Sequence, residues 1–289
     1  MAAIRLGGHG LPVGSDDPYA FARAHRAFGY AAAYVPVSLI GADDHTLAEW
    51  EKAFSEHDVT LAEVGIWRNL IDPDPVKRRA ELDYAAQCLA LADAVGARCA
   101  VSFIGSFAPG TRHGLDARNL GPQAIEAAVE NVRALIDTVK PKRARFALEM
   151  MQATIPDSAD SYLELIRAVD RPEFAAHLDP VNLVMTPRTY FDTGALIREC
   201  FQKLGPWIVS CHAKDITLHE TAALHLDEVQ IGDGNLDYRT YLTELARLPD
   251  VPLLLEHLKP EEYALARDRI FGFGDAAGVS ILHRPFNCW

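Results

Sequence analysis

Short apolar runs alternate with longer amphipathic stretches along almost the whole chain. The runs are rich in β-branched, aromatic and small apolar residues, which is typical of buried strands. They predict strands over residues 4–9, 31–37, 60–66, 98–104, 145–150, 174–178, 207–212 and 252–257. The stretches between them carry the spacing of amphipathic helices and predict helices near residues 16–28, 45–57, 75–96, 121–140, 158–170, 193–204, 237–248 and 260–272.

This alternation predicts an α/β protein, and within that class a (β/α)₈ TIM barrel. A doubly wound sheet would alternate in the same way, but it does not easily bring four consecutive strand ends around one point. The sequence has no linker, low-complexity tract or shift of composition that would divide it. We therefore expect one domain over residues 1–289.

Four polar residues close the last four apolar runs. They are Glu149, Asp179, His212 and Glu256, separated by 30, 33 and 44 residues. One strand, its crossover and its helix take about 30 residues or more. The spacing therefore predicts that the four side chains lie at the same end of four neighbouring parallel strands.

A shared site of this composition favours a divalent metal ion. Three carboxylates in a dry cavity repel one another unless a cation neutralises them. Carboxylate oxygens with one imidazole suit Mn²⁺, Mg²⁺ or Co²⁺ better than a thiolate-preferring ion, and Zn²⁺ remains compatible. The alternative is four separate strand-end caps or salt bridges. The regular spacing favours the metal, and a metal in such a cavity indicates an enzyme.

The same residues resemble a known family. Glu149, Asp179, His212 in His-Ala-Lys-Asp, Glu256 and the Gly-rich segment 231–237 are similar to motifs of the xylose isomerase-like superfamily of sugar phosphate isomerases and epimerases. The likeness is to its ketose 3-epimerase, hydroxypyruvate isomerase and inosose dehydratase branches. It implies a metal, commonly Mn²⁺, held by the four residues, and a homo-oligomer.

The resemblance also implies a reaction. Glu149 and Glu256 would flank a small ketose or keto-polyol and move its protons through a metal-stabilised enediolate, giving isomerisation or epimerisation. An enediolate can instead lose a β-hydroxyl or an aglycone, so a metal-dependent lyase, either a keto-polyol dehydratase or a sugar deglycosylase, is the alternative. One position departs from the epimerase pattern, since Asn182 stands where those enzymes often have a histidine.

Two other classes of function fit less well. Related barrels include DNA-repair endonucleases, but those use more histidines and a basic surface, whereas this chain carries a net charge of −12. A barrel that only binds or assembles would not need an intact set of four ligands. The charge argues equally against nucleic-acid and anionic-membrane partners and leaves a small carbohydrate as the expected partner.

Six further residues are candidate substrate contacts: His9, Glu63, Trp67, Asn182, Arg188 and Lys214. His9 ends the first strand in a Gly-rich turn, where it either meets the substrate or is simply solvated. Glu63 and Trp67 share one strand face, which predicts Trp67 at the pocket mouth and Glu63 deeper, with plain packing of the indole as the alternative.

Lys214 and Arg188 each have two interpretations. Lys214 either reaches a substrate oxygen or pairs with Asp215 at the rim, and Arg188 either binds an anionic group or is solvated. His257 follows Glu256, so strand alternation predicts that it points into the helix layer, while His177 is expected deep in the barrel as a satisfied polar group.

Cysteine usage and chain-end features suggest a compartment. Five scattered cysteines without a C-x-x-C pair fit reduced thiols, and the N-terminus lacks the pattern of a secretory signal. With no long apolar run, a cytoplasmic protein is expected. The aromatic tail, residues 284–289, either covers a barrel end, joins a subunit contact or frays.

Overall fold

The computed structural model describes residues 2–11 and 16–284. Its strands are β1 (Arg5–Gly7), β2 (Ala32–Tyr34), β3 (Thr60–Gly65), β4 (Cys99–Ser102), β5 (Arg145–Glu149), β6 (Phe174–Leu178), β7 (Ile208–Ala213), β8 (Asp215–Leu218), β9 (Leu226–Val229) and β10 (Pro252–Leu255). In this part of the chain, eight parallel strands close into a barrel in the order β1-β10-β7-β6-β5-β4-β3-β2. The prediction of a (β/α)₈ barrel is confirmed, and each of the eight predicted strands lies in it.

Helices surround the barrel. They are α1 (Pro18–Phe28), α2 (Asp44–Glu56), α3 (Pro75–Val95), α4 (Pro122–Val139), α5 (Ala159–Val169), α6 (Pro187–Phe191), α7 (Thr193–Leu204), α8 (Tyr238–Leu245) and α9 (Tyr263–Ala277). The eight predicted helices correspond to all of these except the short α6. Each barrel strand therefore leads to a helix that covers the outside of the barrel, as a parallel sheet requires.

Local sequence sets several of the helix ends. Asp17 and Asp74 accept hydrogen bonds from the first free N–H groups of α1 and α3, and a proline opens each helix. Gly29 and Gly96 end the same helices in the left-handed conformation, with φ of 93° and 71°. The buried apolar side chains between the strands and these helices form the main core.

Two further parts of the chain differ from the prediction. Strands β8 and β9 form a separate antiparallel hairpin within residues 213–236, a range in which the sequence pattern predicted neither a strand nor a helix. Helix α9 continues to Ala277, beyond the predicted end at residue 272. Gly274 lies in this last part of α9, where a Cβ would press on Ile281 and the Val279 carbonyl.

No helix in residues 2–11 and 16–284 is long and apolar enough to cross a membrane. The aromatic tail was predicted to cover a barrel end, to join a subunit contact or to fray. From Pro285 onward, it lies outside the described part of the chain.

Candidate functional site

The four strand-end residues converge at the carboxyl ends of adjacent barrel strands. Glu149 is the last residue of β5, Asp179 follows β6, His212 lies in β7 and Glu256 follows β10. One ligand atom from each lies within 4.8 Å of those of the others. His212 Nδ1 is 2.8 Å from Glu149 Oε1 and 3.1 Å from Glu256 Oε2. The parallel register thus brings together side chains that are far apart in the sequence.

Lys214 lies inside this group. Its Nζ is 2.8 Å from Asp179 Oδ2 and 3.1 Å from Glu256 Oε2, and only 3% of its side chain is exposed. Neither carboxylate oxygen accepts a well-aligned hydrogen bond from the described residues, although both atoms are buried. Buried oxygens with unused lone pairs are costly unless something coordinates them. Their position beside Glu149 and His212 fits a divalent cation.

Electrostatics in the site follow from this crowding. Burial alone would lower the pKa of His212, but Glu256, Tyr34, Glu63 and the hydrogen bond to Glu149 outweigh it and hold the pKa well above its usual value. Burial raises the pKa of Asp179, with the charge of Lys214 opposing it. A proton on His212 Nδ1 therefore occupies the space between His212, Glu149 and Glu256. A cation bound by these three side chains would lie in the same place.

A second buried network holds the other side of the His212 ring. Glu63, at 0% exposure, has Oε2 3.3 Å from His212 Nε2 and Oε1 3.0 Å from His177 Nε2. Ser210 also donates to Glu63 Oε1. Burial alone would raise the pKa of Glu63, but the charges and hydrogen bonds of the two histidines outweigh it and keep the carboxylate ionised. The Nε2 atom of His212 must then donate to Glu63, which leaves Nδ1 directed at the ligand cluster.

The Gly-rich segment 231–237 serves the site indirectly. The buried Asp215 carboxylate accepts backbone N–H bonds of 2.8–3.2 Å from Ile216, Gly232, Gly234 and Leu236. A Cβ on Gly234 would overlap this carboxylate. The glycine is therefore needed for close approach, and the loop anchors the chain directly after Lys214.

A cavity of about 640 Å³ meets the ligand cluster at Glu256, which forms part of its wall. Its wall comes largely from the segments after β1, β2 and β3. His9 stacks on Tyr34 with ring centroids 4.3 Å apart, and Trp67 lies across Gly65, where a Cβ would meet the indole. Aromatic faces next to a polar cluster suit the C–H faces of a ring or sugar.

The candidate contacts separate into three groups. His9 and Trp67 line the cavity, and Lys214 lies among the ligand carboxylates. Asn182 is buried, donates to the Met150 carbonyl at 3.0 Å and has its Oδ1 3.3 Å from Lys214 Nζ. Glu63 lies fully buried beneath His212, and Arg188 is exposed on α6, so the structure brings neither to the cavity wall.

Three expectations are corrected by the geometry. Lys214 does not pair with Asp215, because Asp215 is taken up by the backbone of the Gly-rich segment. His257 is half-exposed and bonds Glu228 Oε2 at 2.8 Å, because β10 ends at Leu255 and strand alternation no longer applies. His177 is in the barrel interior as expected, but its Nδ1 has no hydrogen-bond partner among the described residues.

Sequence reasoning missed three residues at the site. Tyr34 was placed in a strand but not at the cavity, Arg112 reaches it from the loop after β4, and Glu228 comes from the hairpin to within 3.4 Å of Lys214. The alternation in Asp-Ile-Thr-Leu and Leu-Asp-Glu-Val was the available signal for the hairpin.

Three solved structures illustrate the similarity of the fold. A xylose isomerase-like TIM barrel protein from Mycobacterium smegmatis, in complex with magnesium, has a TM-score of 0.66 and 19% identity, over 96% of this chain and 98% of that chain. D-psicose 3-epimerase from Clostridium cellulolyticum H10, with D-tagatose, has a TM-score of 0.69 and 14% identity, over 95% and 98%. The probable 3-DHS dehydratase AsbF of Bacillus anthracis has a TM-score of 0.68 and 16% identity, over 94% and 99%.

At these identities the structures show a common fold. No curated protein matches the sequence. The family model described as xylose isomerase-like TIM barrel matches residues 21–271, which is most of the chain and includes all four strand-end residues. The resemblance seen in the sequence is thereby confirmed, and the chain belongs to the xylose isomerase-like TIM barrel family.

Proposed function

We propose that this protein is a divalent-metal-dependent isomerase or epimerase of a small ketose or related keto-polyol. The observation that carries the proposal is the convergence of Glu149, Asp179, His212 and Glu256 within 4.8 Å, beside a cavity with aromatic walls. Solved structures of the same fold include an epimerase, which supports this class of reaction.

Glu149 and Glu256 are the proposed acid–base pair. Glu149 ends β5 and Glu256 follows β10, three steps away in the barrel, and the two carboxylates lie 2.8 Å and 3.1 Å from the same His212 nitrogen. One carboxylate takes a proton from the carbon next to a carbonyl, and the other returns a proton from the opposite face. Glu256 also borders the cavity, where substrate has access to it.

Asp179 and His212 hold the metal together with the two glutamates. A bound divalent ion supplies Lewis-acid stabilisation of the negative charge that develops beside the carbonyl. Mn²⁺ is the proposed ion, with Mg²⁺, Co²⁺ and Zn²⁺ compatible with the oxygen-rich donor set. Lys214 places a positive charge 2.8 Å from Asp179 and 3.1 Å from Glu256, which favours the ionised form of both carboxylates and opposes the effect of burial.

The cavity wall positions the substrate. His9, stacked on Tyr34, and Trp67 offer flat faces, while Asn182 orients Lys214 through its amide oxygen. Glu63 contributes through His212, whereas Arg188 lies exposed on α6, away from the cavity wall.

A metal-dependent lyase is the second candidate. Asn182 has no proton to exchange at neutral pH, and its amide nitrogen is bonded to the Met150 carbonyl. A dehydratase also appears among the structures of this fold. Both features favour loss of a leaving group after proton removal, which the same two glutamates can support.

The test is solvent-deuterium exchange with Mn²⁺-loaded protein and a panel of ketoses and keto-polyols. We expect deuterium at the carbon next to the carbonyl and a stereoisomer as product. Glu256→Gln should bind Mn²⁺ but lose turnover by about 100-fold or more, the usual range for removing an acid–base group. Full activity of that variant would contradict the two-glutamate mechanism, and release of water or an aglycone would identify the lyase.

We also propose that the protein is cytoplasmic. Cys88, Cys99, Cys200 and Cys211 are free and buried, as expected for reduced thiols in the cytoplasm. We further propose a homo-oligomer, for which sedimentation of the purified chain is the direct test.

A further inference from the structure

A second cluster of metal-ligating side chains lies outside the barrel, on the β8–β9 hairpin. It consists of His219, His225 and Asp227, whose donor atoms lie within 4.8 Å of one another. The Nε2 atoms of His219 and His225 are 2.9 Å and 3.0 Å from the same oxygen, Asp227 Oδ2. Two imidazoles and one carboxylate are thus directed at one point.

The hairpin register explains why these side chains meet. Thr217 pairs with Asp227 and Leu218 with Leu226, and the His219 N–H donates to the His225 carbonyl at 2.9 Å. His219 and His225 are therefore cross-strand neighbours, and Asp227 follows two residues later on the same face. A β-hairpin fixes these three positions relative to one another more closely than a loop would.

The opposite face of the hairpin is directed at the barrel. Ile216 is buried there, and Glu228 contacts Lys214 and His257. The His219–His225–Asp227 face is open, with side-chain exposures of 44%, 58% and 53%. An ion on this face has room for water ligands beside the three protein donors.

We propose that His219, His225 and Asp227 form a second metal site, selective for Zn²⁺ and similar late transition ions. Imidazole nitrogens prefer such ions over Mg²⁺ or Ca²⁺. Zinc binds nitrogen at about 2.0–2.1 Å and carboxylate oxygen at about 2.0–2.2 Å. Donors that lie about 3 Å apart need only small side-chain shifts to reach these distances around a shared ion. Bound metal joins the end of β8 to the start of β9 and restrains the segment that presents Glu228 to the barrel.

The test is Zn²⁺ binding to the chelator-stripped full chain, measured as bound equivalents by equilibrium dialysis and elemental analysis. We expect two equivalents for the wild type and one for each of His219→Asn and His225→Asn. His45→Asn, at an exposed histidine of α2, is the matched control and should keep both equivalents. Asp179→Asn should lose the barrel equivalent and keep the hairpin one, which separates this site from the proposed catalytic metal.

A second measurement locates the ion. Zn²⁺ should slow backbone hydrogen exchange over residues 219–227 in the wild type and in Asp179→Asn, but not in His225→Asn. Two equivalents in both histidine variants, or unchanged exchange in the hairpin of the wild type, would overturn the proposal. Because the three side chains are exposed, their replacement should leave the melting temperature of the metal-free chain unchanged.

Discussion

Glu63 is a buried carboxylate that lies outside the candidate metal cluster but positions one of its ligands, His212. It contacts His212 on the Nε2 side, while Glu149 and Glu256 contact the Nδ1 side. Both oxygens of Glu63 are occupied, one by His212 and the other by His177 and Ser210. The carboxylate thus fixes the orientation and the tautomer of the imidazole, a known means of tuning metal ligands.

Glu63→Gln should therefore weaken Mn²⁺ binding by about 10- to 100-fold, the usual effect of losing such a partner. The amide can accept through one atom only, so it cannot receive the protons of both His212 and His177. Calorimetric titration of the stripped protein measures the change. Glu51→Gln, on an exposed carboxylate paired with Arg143, should leave the dissociation constant unaltered. Equal affinity in wild type and Glu63→Gln would remove the positioning role.

At the scale of elements, the segment after β7 depends on Asp215. The Asp215 carboxylate accepts hydrogen bonds from four backbone N–H groups. Without it, these buried donors of the loop would need other partners. Tyr238 of α8 donates to the Lys214 carbonyl at 2.7 Å and holds the same segment from the helix side. The position of Lys214 in the site is thus secured by Asp215, which follows it, and by Tyr238 through the Lys214 carbonyl.

Asp215→Asn should destabilise the protein by about 1–3 kcal/mol, because one oxygen becomes an N–H₂ group that faces backbone donors. Urea unfolding followed by circular dichroism gives the free energy of unfolding. The matched change Asp233→Asn, in the same loop but half-exposed and paired with Arg269, should alter it by no more than about 0.5 kcal/mol. A similar free energy for both variants would mean that the Asp215 bonds do not support the loop.

For the whole molecule, a buried histidine links stability to pH. His25 in α1 is 2% exposed, packs edge-on against Phe21 and donates from Nδ1 to the Phe21 carbonyl at 2.9 Å. Burial lowers its pKa to about 4 from the usual 6.5, with the hydrogen bond to Phe21 opposing the shift. As the pH falls below 6.5, the unfolded chain binds this proton before the folded one does, so stability is full above pH 6.5 and decreases until about pH 4.

The size of this loss can be measured with His25→Phe. A shift from 6.5 to about 4 corresponds to about 3 kcal/mol between those two pH values. Over this pH interval, the free energy of unfolding should therefore fall more for the wild type than for His25→Phe. The difference between the two decreases should be about this amount. Measurements at pH 8, where the imidazole is neutral in both states, give the packing effect of the substitution separately. Parallel pH profiles for the two proteins would contradict the assignment to His25.

The sequence by itself determined the architecture and the four converging strand ends. Period-two and helical patterns are local, and strand-to-strand spacing in a parallel barrel leaves little freedom, so Glu149, Asp179, His212 and Glu256 could be placed at one end of the barrel. The same reasoning put Trp67 near the pocket, although the residue lies beyond β3 with a φ of 50°, where strand parity does not hold. Trp67 thus lies at the cavity because of the loop conformation after β3 and not because of strand alternation.

Only the tertiary structure decided how polar groups pair. Lys214 pairs with Asp179 and Glu256 and not with its neighbour Asp215. Glu63 contacts His212, and His257 bonds Glu228. These choices depend on distances between segments far apart in the chain, and on the cost of leaving buried charges without partners. Sequence periodicity records which face of a strand a residue occupies and near which end of the barrel it lies, but it does not record which of the charged groups there form pairs.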